Sequence, residues 1–474
     1  MLDEDPGGES DISWLDARKH WRVPASTAPE GGDHCTVMHA WQELSGWVRA
    51  NDPKQQDNFW KGMRNKIGKL DLRPDERLCA IAFVKRMLPK LARDDEKIFG
   101  WKMDTRNWPS TAYMAAVPWI KKAWDSDKGG TEKLTELAYE YFDEGARGER
   151  DTSIACLIGV DKRFRGLDGN AFHLPALANE KTTPLNDEVG REKLKSTLQS
   201  LQDKVGYSAS PFYGLLLMDG DSLGTMLHDH SEKKVSSSLA TFTHQVGDIV
   251  SQHNGVTIYA GGDDVLAMLP LQDAIDAACR LDFRFREAFL AHGIQATLSA
   301  AIVYSHFKQP LHAVLSEARR QLDDVAKDGN GRSSLAIAVL QGAGKNIEWV
   351  STWCTNGSSP PLKVQALASR FRDEPQFSTR FSYGLGNLFG LMPGDAERAG
   401  KGFNPGLSED QMFRWMVAEY LDNRERKATI AEAEECVREL MSVCQRNRRI
   451  PEGFELQASG ARLVTFLANP GEDA

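Results

Sequence analysis

The chain has 474 residues, of which 41% are hydrophobic, 26% charged and 9% aromatic, with 40 Gly and 20 Pro. These proportions exclude a collagen-like, coiled-coil or wholly disordered protein, and at ~150 residues per domain the length accommodates about three domains. With 67 acidic against 58 basic side chains the net charge is −9, which excludes a protein that coats nucleic acid with its own positive charge, though not an acidic subunit whose RNA or DNA is held by partner chains.

The first 57 residues read as an irregular segment, because Pro6-Gly7-Gly8, Pro24, Pro29 and Gly31-Gly32 interrupt any period, while Trp14, Trp21 and Trp41 predict packing onto something else. Residues 58–205 read as a helical domain. Within it Leu78, Ile81 and Leu88 are expected on one helical stripe, and a loop at Trp108-Pro109-Ser110-Thr111 leads into an apolar helix from Met114 to Trp124. Gly145 to Asn186 is dense in turn residues.

From residue 206 to 345 the pattern changes. The apolar run Pro211 to Met218 stops at Asp219-Gly220-Asp221, as a buried central strand does. A helix follows with Val235, Leu239, Phe242, Val246 and Ile249 at steps of three and four, closed by Asn254-Gly255. Val256–Ala260 and Val265–Leu269 flank Gly261-Gly262-Asp263-Asp264 as a hairpin. A helix over Leu271–His292, a strand over Ala296–Tyr304, a helix over Leu311–Val325 and a strand over Ser334–Leu340 complete the order β-α-β-β-α-β-α-β. The expected fold class is α+β: a ferredoxin-like palm with its helices on one face, flanked by helical domains. Beyond it, residues 346–474 predict a helical bundle built from Glu348–Trp353, Leu362–Phe371, Ser378–Leu391, Ser408–Leu421 and Ile430–Cys444, the last followed by Arg446, Arg448 and Arg449 as a solvated helix end.

The chemistry concentrates in the palm. Asp219-Gly220-Asp221 at a strand end and Gly261-Gly262-Asp263-Asp264 in a hairpin turn fall on adjacent strand termini, so three or four carboxylates converge. Such a cluster repels itself without counter-ions, and hard oxygen ligands suit two Mg²⁺ or Mn²⁺ ions able to activate a ribose hydroxyl and hold a leaving pyrophosphate. Gly261 and Gly262 permit a tight turn and the approach of a triphosphate, although a polar hairpin tip uses the same residues for geometry alone. Downstream, Ala326-Lys327-Asp328-Gly329-Asn330-Gly331-Arg332 puts a lysine at a helix end where it can reach a β- or γ-phosphate; ordinary helix capping gives the same letters.

Leu217-Met218-Asp219-Gly220-Asp221-Ser222-Leu223-Gly224, the Gly261-Gly262-Asp263-Asp264 turn and the Ala326-Lys327 to Arg332 segment resemble the catalytic palm of the large subunit of type III CRISPR–Cas effector complexes. Glu76 to Arg86 and Trp108-Pro109-Ser110-Thr111 resemble the type III-B (Cmr) branch in particular. The resemblance implies synthesis of cyclic oligoadenylate second messengers from ATP when target RNA pairs with guide RNA, in an antiviral complex with sibling subunits. It assigns catalysis and metal binding to Asp219, Asp263 and Asp264, and nucleotide binding to Gly220, Asp221, Ser222, Leu223, Gly261, Gly262, Lys327 and Arg332. The same palm with Glu in place of Asp264 is similar to diguanylate cyclases.

Two departures accompany the resemblance. The family's N-terminal HD nuclease domain and first palm do not fit into the residues ahead of the helical segment, which leaves open whether a separate chain supplies them. The family's four-cysteine zinc site is reduced to Gly32-Asp33-His34-Cys35, with Val37-Met38 where a second ligand belongs. Cys35, His34, His39 and Cys79 lack zinc spacing, so no zinc is expected. His228-Asp229-His230 reads as solvated loop rather than nuclease. The seven cysteines (Cys35, Cys79, Cys156, Cys279, Cys354, Cys436, Cys444) contain no C-x-x-C pair and read as reduced thiols. Met1-Leu2-Asp3-Glu4-Asp5 is unlike a signal peptide and no apolar run reaches ~20 residues, so the expected location is cytoplasmic, without membrane contact. Three rival readings stand: a homodimeric stand-alone cyclase, a catalytically silent structural subunit, and a template-dependent polymerase.

Overall fold

The computed structural model describes residues 32–39, 41–67, 72, 74–94, 109–142, 154–179, 188–342, 344–354, 357–373, 381, 385, 408–422, 429–445 and 457–469. Two compact units divide the chain, residues 1–105 and 106–474. Trp14, Trp21, Trp108, Arg446, Arg448, Arg449 and the helix expected at Ser378–Leu391, apart from Phe381 and Leu385, lie outside the described residues.

The first unit contains α1 (Pro53–Ile67) and α2 (Ala80–Asp94). Its small core gathers Cys35, Trp60, Leu72, Leu78, Cys79 and Ala82. The stripe expected through Ile81 is corrected: Leu78 precedes the helix, Ile81 is exposed, and Ala82 and Met87 turn inward. Leu78 lies in the non-helical segment before Ala80, so helical spacing does not link it to the helix's inward face. Cys35 and Cys79 are both buried, the Met38 and Ala82 amides donate to their sulfurs, and Cys79 Sγ contacts Met38 Sδ at 3.8 Å. Trp41 is exposed.

The second unit begins with α3 (Thr111–Ser126) and α4 (Lys128–Tyr141) and continues to α5 (Glu188–Val205). Ser110 caps α3 by accepting the Tyr113 amide at 3.1 Å, which fixes where the helix starts after Pro109.

The sheet then assembles from β1 (Phe212–Gly220), β2 (Val256–Gly261), β3 (Asp264–Pro270), β4 (Leu298–His306), β5 (Ser334–Gln341) and β6 (Gly344–Thr352), in the order β2-β3-β1-β4-β5-β6. Pairing is antiparallel except between β4 and β5. Between the strands run α6 (Leu223–Asp229), α7 (Glu232–Gln252), α8 (Ala274–Leu290) and α9 (Leu311–Arg320). The order β2-β3-β1-β4 is that of the expected palm. Strand β6 corrects the helix expected at Glu348–Trp353. Ile347 and Trp349 join the core on one face while Val350 packs on the other, a period of two that six residues of sequence concealed. Trp349 Nε1 donates to the Val443 carbonyl at 2.8 Å, tying the C-terminal helices to the strand.

Helices cover both faces of the sheet, not one. Leu216, Met218, Ile302 and Ile337 meet α7, α8 and the C-terminal helices α10 (Pro360–Asp373), α11 (Glu409–Asp422), α12 (Ile430–Cys444) and α13 (Ser459–Ala468). Tyr213, Leu215, Val303 and Ala338 meet α3, α5 and α9. The central strands are apolar at both alternations, so either face left open would expose a full row of aliphatic side chains. Each such side chain contributes ~1.5–3 kcal/mol on burial. The helix expected over Leu311–Val325 is corrected too: α9 ends at Arg320, and Gln321–Gly329 continues with π-helical winding. That wider winding is rare and frequently found at functional sites. Here it carries Lys327.

Candidate active site

β1 ends at Gly220 and β3 begins at Asp264, and antiparallel pairing puts these ends side by side at one edge of the palm. Carboxylate oxygens of Asp219, Asp263 and Asp264 lie within 4.8 Å of one another, the one cluster of metal-capable acidic, histidine or cysteine side chains among the described residues. Gly220 makes this convergence possible, since a Cβ there would stand 2.8 Å from both Cβ and Oδ2 of Asp263. Gly262 supplies the turn's positive φ, +65°, and its carbonyl accepts from Thr243 Oγ1 at 3.1 Å. Thr243 stands on α7, nineteen positions upstream of Gly262, and the sequence carried no local sign of its role. A Cβ on Gly261 would meet the hydroxyl of Tyr259, an exposed ring beside the turn.

Lys327 Nζ donates to Asp219 Oδ2 and stands 3.6 Å from Asp323. One ammonium thus faces three carboxylates. Desolvation, the hydrogen bond that the protonated Asp264 carboxyl donates to Asp219, and the charges of Asp219 and Asp263 push the Asp264 carboxyl up to about 6, against the pull of Lys327. Burial, with Asp219 adding to it, raises Asp263 as well. The excess negative charge and all-oxygen donor set fit hard divalent cations and would suit a soft metal poorly. Because Asp264 titrates near 6, a cation binding there must displace a proton at lower pH. Apparent Mn²⁺ affinity is expected to be steady above pH 7 and to fall up to about tenfold per pH unit below 6, read by Mn²⁺ titration at fixed ionic strength. A pH-independent affinity between 5 and 7 contradicts this.

The fourth carboxylate expected in the set stands apart. Asp221 is 4% exposed and accepts from Thr297, Ser299 and the Ser333 amide rather than facing the triad. Arg332, expected at the nucleotide, lies 3.9 Å from Asp221. Ser222 adopts φ +58° ahead of α6, and Leu223 packs against the core. His228 and Asp229 close the short helix α6 instead of lying in a loop, with both side chains solvent-facing.

Comparison with known proteins bears on this site directly. Residues 212–336 match the family model described as Cas10/Cmr2, second palm domain. The palm of this chain is thus similar to a Cas10/Cmr2 second palm. The matched span includes every residue of the acidic triad and Lys327. Over 190 residues, 33% of this chain, the protein is 31% identical to the CRISPR system Cmr subunit Cmr2 of Pyrococcus furiosus, of which it covers 22%. Among solved structures it resembles a chain of the type III-B Cmr-beta complex in the apo state, with TM-score 0.54, 14% identity, and coverage of 98% of this chain and 60% of that one. A chain of the same complex bound to cognate target RNA gives TM-score 0.54 at 15% identity, covering 95% and 58%. At these identities the structural likeness establishes the fold. That likeness covers nearly the whole chain, which spans about three fifths of those proteins and about a fifth of the Pyrococcus one. No helix among the described residues is long and apolar enough to cross a membrane.

Proposed function

We propose that the chain is the palm-bearing subunit of a type III-B RNA-guided complex, with sibling subunits, guide RNA and target RNA as partners, and that its palm joins ATP molecules into cyclic oligoadenylates. The observation that carries the reading is the triad Asp219, Asp263 and Asp264 facing Lys327 inside a segment matched to the Cas10/Cmr2 second palm. Asp219, Asp263 and Asp264 would hold two Mg²⁺ or Mn²⁺ ions, which when bound supply Lewis-acid stabilisation of the transferring phosphate and acidify an attacking hydroxyl.

The chain's own residues do the rest. Gly261 and Gly262 keep the turn free of side chains where a triphosphate approaches. Lys327, once the carboxylates are otherwise neutralised, is released from Asp219 to a phosphate oxygen, a charge-assisted contact worth ~1.5–3 kcal/mol. The half-buried placing of Asp263 withdraws it from water and strengthens its hold on a cation. The test is product analysis: the reconstituted complex with cognate target RNA, Mg²⁺ and ATP should yield cyclic oligoadenylate, and the same mixture without target RNA should not. Target RNA binding with no nucleotide product overturns the proposal in favour of a silent structural palm.

A further inference from the structure

Asp221 follows Asp219 by two positions, and its burial leaves it without access to any bound ion. What it touches gives it a different task. Its Oδ1 accepts from Ser299 Oγ at 2.7 Å; its Oδ2 accepts from Thr297 Oγ1 at 2.8 Å and from the Ser333 backbone N–H at 2.9 Å. Ser333 ends a run of three residues with positive φ: Gly331 at +79°, Arg332 at +68° and Ser333 at +50°. Glycine adopts this region freely, but an arginine and a serine in succession do so only when their surroundings hold them there.

The run folds the chain back onto Lys327. The Gly331 amide donates to the Lys327 carbonyl at 3.0 Å, and the Arg332 amide bridges the carbonyls of Ala326 at 3.1 Å and Lys327 at 3.0 Å. Asp221 holds the far end of this loop, assisted by Arg286, whose Nη2 donates to Ser333 Oγ at 2.9 Å while Asp282 accepts from its Nε. A continuous path of hydrogen bonds therefore runs from the Asp221 carboxylate through the strained loop to the backbone of Lys327. The segment bearing that lysine is itself wound as a π-helix.

We propose that Asp221 is a positioning residue for Lys327: by pinning Ser333 it fixes the 331–333 loop, and the loop fixes the lysine at the reach from which its ammonium meets the triad or a phosphate. The inference rests on the reading of Lys327 as the phosphate contact. Asp221 touches neither the triad nor the nucleotide's place, so its loss should be felt only through Lys327.

A double-mutant cycle in the assembled complex separates these statements. Wild type, Lys327→Ala, Asp221→Asn and the double variant are compared for Mg–ATP affinity, for Mn²⁺ affinity without nucleotide, and for melting temperature. Lys327→Ala should weaken Mg–ATP about tenfold or more, the lower end of a charge-assisted contact. Asp221→Asn should weaken it severalfold, with Mn²⁺ affinity changed no more than in Lys327→Ala, and the double variant should match Lys327→Ala alone in both affinities. Additive losses, or an Asp221→Asn change in Mn²⁺ binding larger than that of Lys327→Ala, overturn the inference and leave the nucleotide reading standing. An unchanged Mg–ATP affinity in Lys327→Ala overturns the nucleotide reading and this inference together. Thr297→Val, which deletes one donor to Asp221 at constant volume, carries the same comparison should Asp221→Asn fail to fold.

Discussion

Replacing Asp263 and Asp264 together with alanine is expected to lower nucleotide turnover by ~100-fold or more, the effect of losing several kcal/mol of transition-state stabilisation, without destabilising the protein. The stability half follows from charge. Both carboxyls are raised by burial and by neighbouring carboxylates, Asp264 to about 6. A group whose folded value lies above its unfolded value of 3.8 favours the fold below about 4 and loses that contribution as pH rises through 6. At pH 7.5 the ionised turn therefore opposes folding in the metal-free protein, and the double variant should melt at or above the wild-type temperature. At pH 4.5 the difference should shrink. Thermal scans in chelator at the two pH values check the sign, and product assays in saturating Mg²⁺ check the rate. Turnover within tenfold of wild type ends the assignment of these carboxylates to catalysis.

The palm was legible because its strands and turn obey local rules. Pro211 to Met218 is one uninterrupted apolar run, and Gly261-Gly262-Asp263-Asp264 is a turn whose letters also carry its chemistry. The convergence of Asp219 with the turn needed only the expected strand order, and the register Met218↔Val265 delivers it. What the sequence concealed is long-range. Nothing within reach of Thr243 in sequence announces that its hydroxyl will hold the Gly262 carbonyl. Asp221 reads as a ligand because it adjoins Asp219, yet Gly220 between them lets the chain turn, and Thr297, Ser299 and Ser333 arrive from two other strand ends to take its carboxylate. The π-helical winding over Gln321–Gly329 shares the apolar spacing of an α-helix until its last turns. Strand β6 reads as helix in sequence over Glu348–Trp353, although the Trp349 and Trp353 side chains are placed by contacts far along the chain. In the fold each indole N–H is claimed by a carbonyl, Val443 and Leu298, that only the assembled core brings near.

On the proposed function, the chain alone is expected to bind Mg–ATP and to make product slowly, with synthesis rising ~100-fold or more once a complementary chain of the proposed complex is present. Joining two nucleotides needs both reactants held in line, and alignment of this kind is worth up to ~7–11 kcal/mol when complete. The described residues place three carboxylates and one lysine at the site, a complement suited to one triphosphate and its metal ions. The attacking nucleotide needs a holder of its own. Beside the triad, β2 is the outermost strand of the sheet, and among the described residues Ile258 and Tyr259 are exposed on it, where a second protein element could complete the site. Binding by one palm and turnover by the pair are then separable: the isolated chain should show Mg–ATP affinity within a few-fold of the complex while its rate is far lower. Raising the concentration of the isolated chain should lift the rate more steeply than linearly if two copies can stand in for the missing partner. The measurement is Mg–ATP affinity and product formation by the chain at several dilutions and in the reconstituted complex. Full turnover from a dilute monomer would show a self-sufficient palm and remove the need for a second holder.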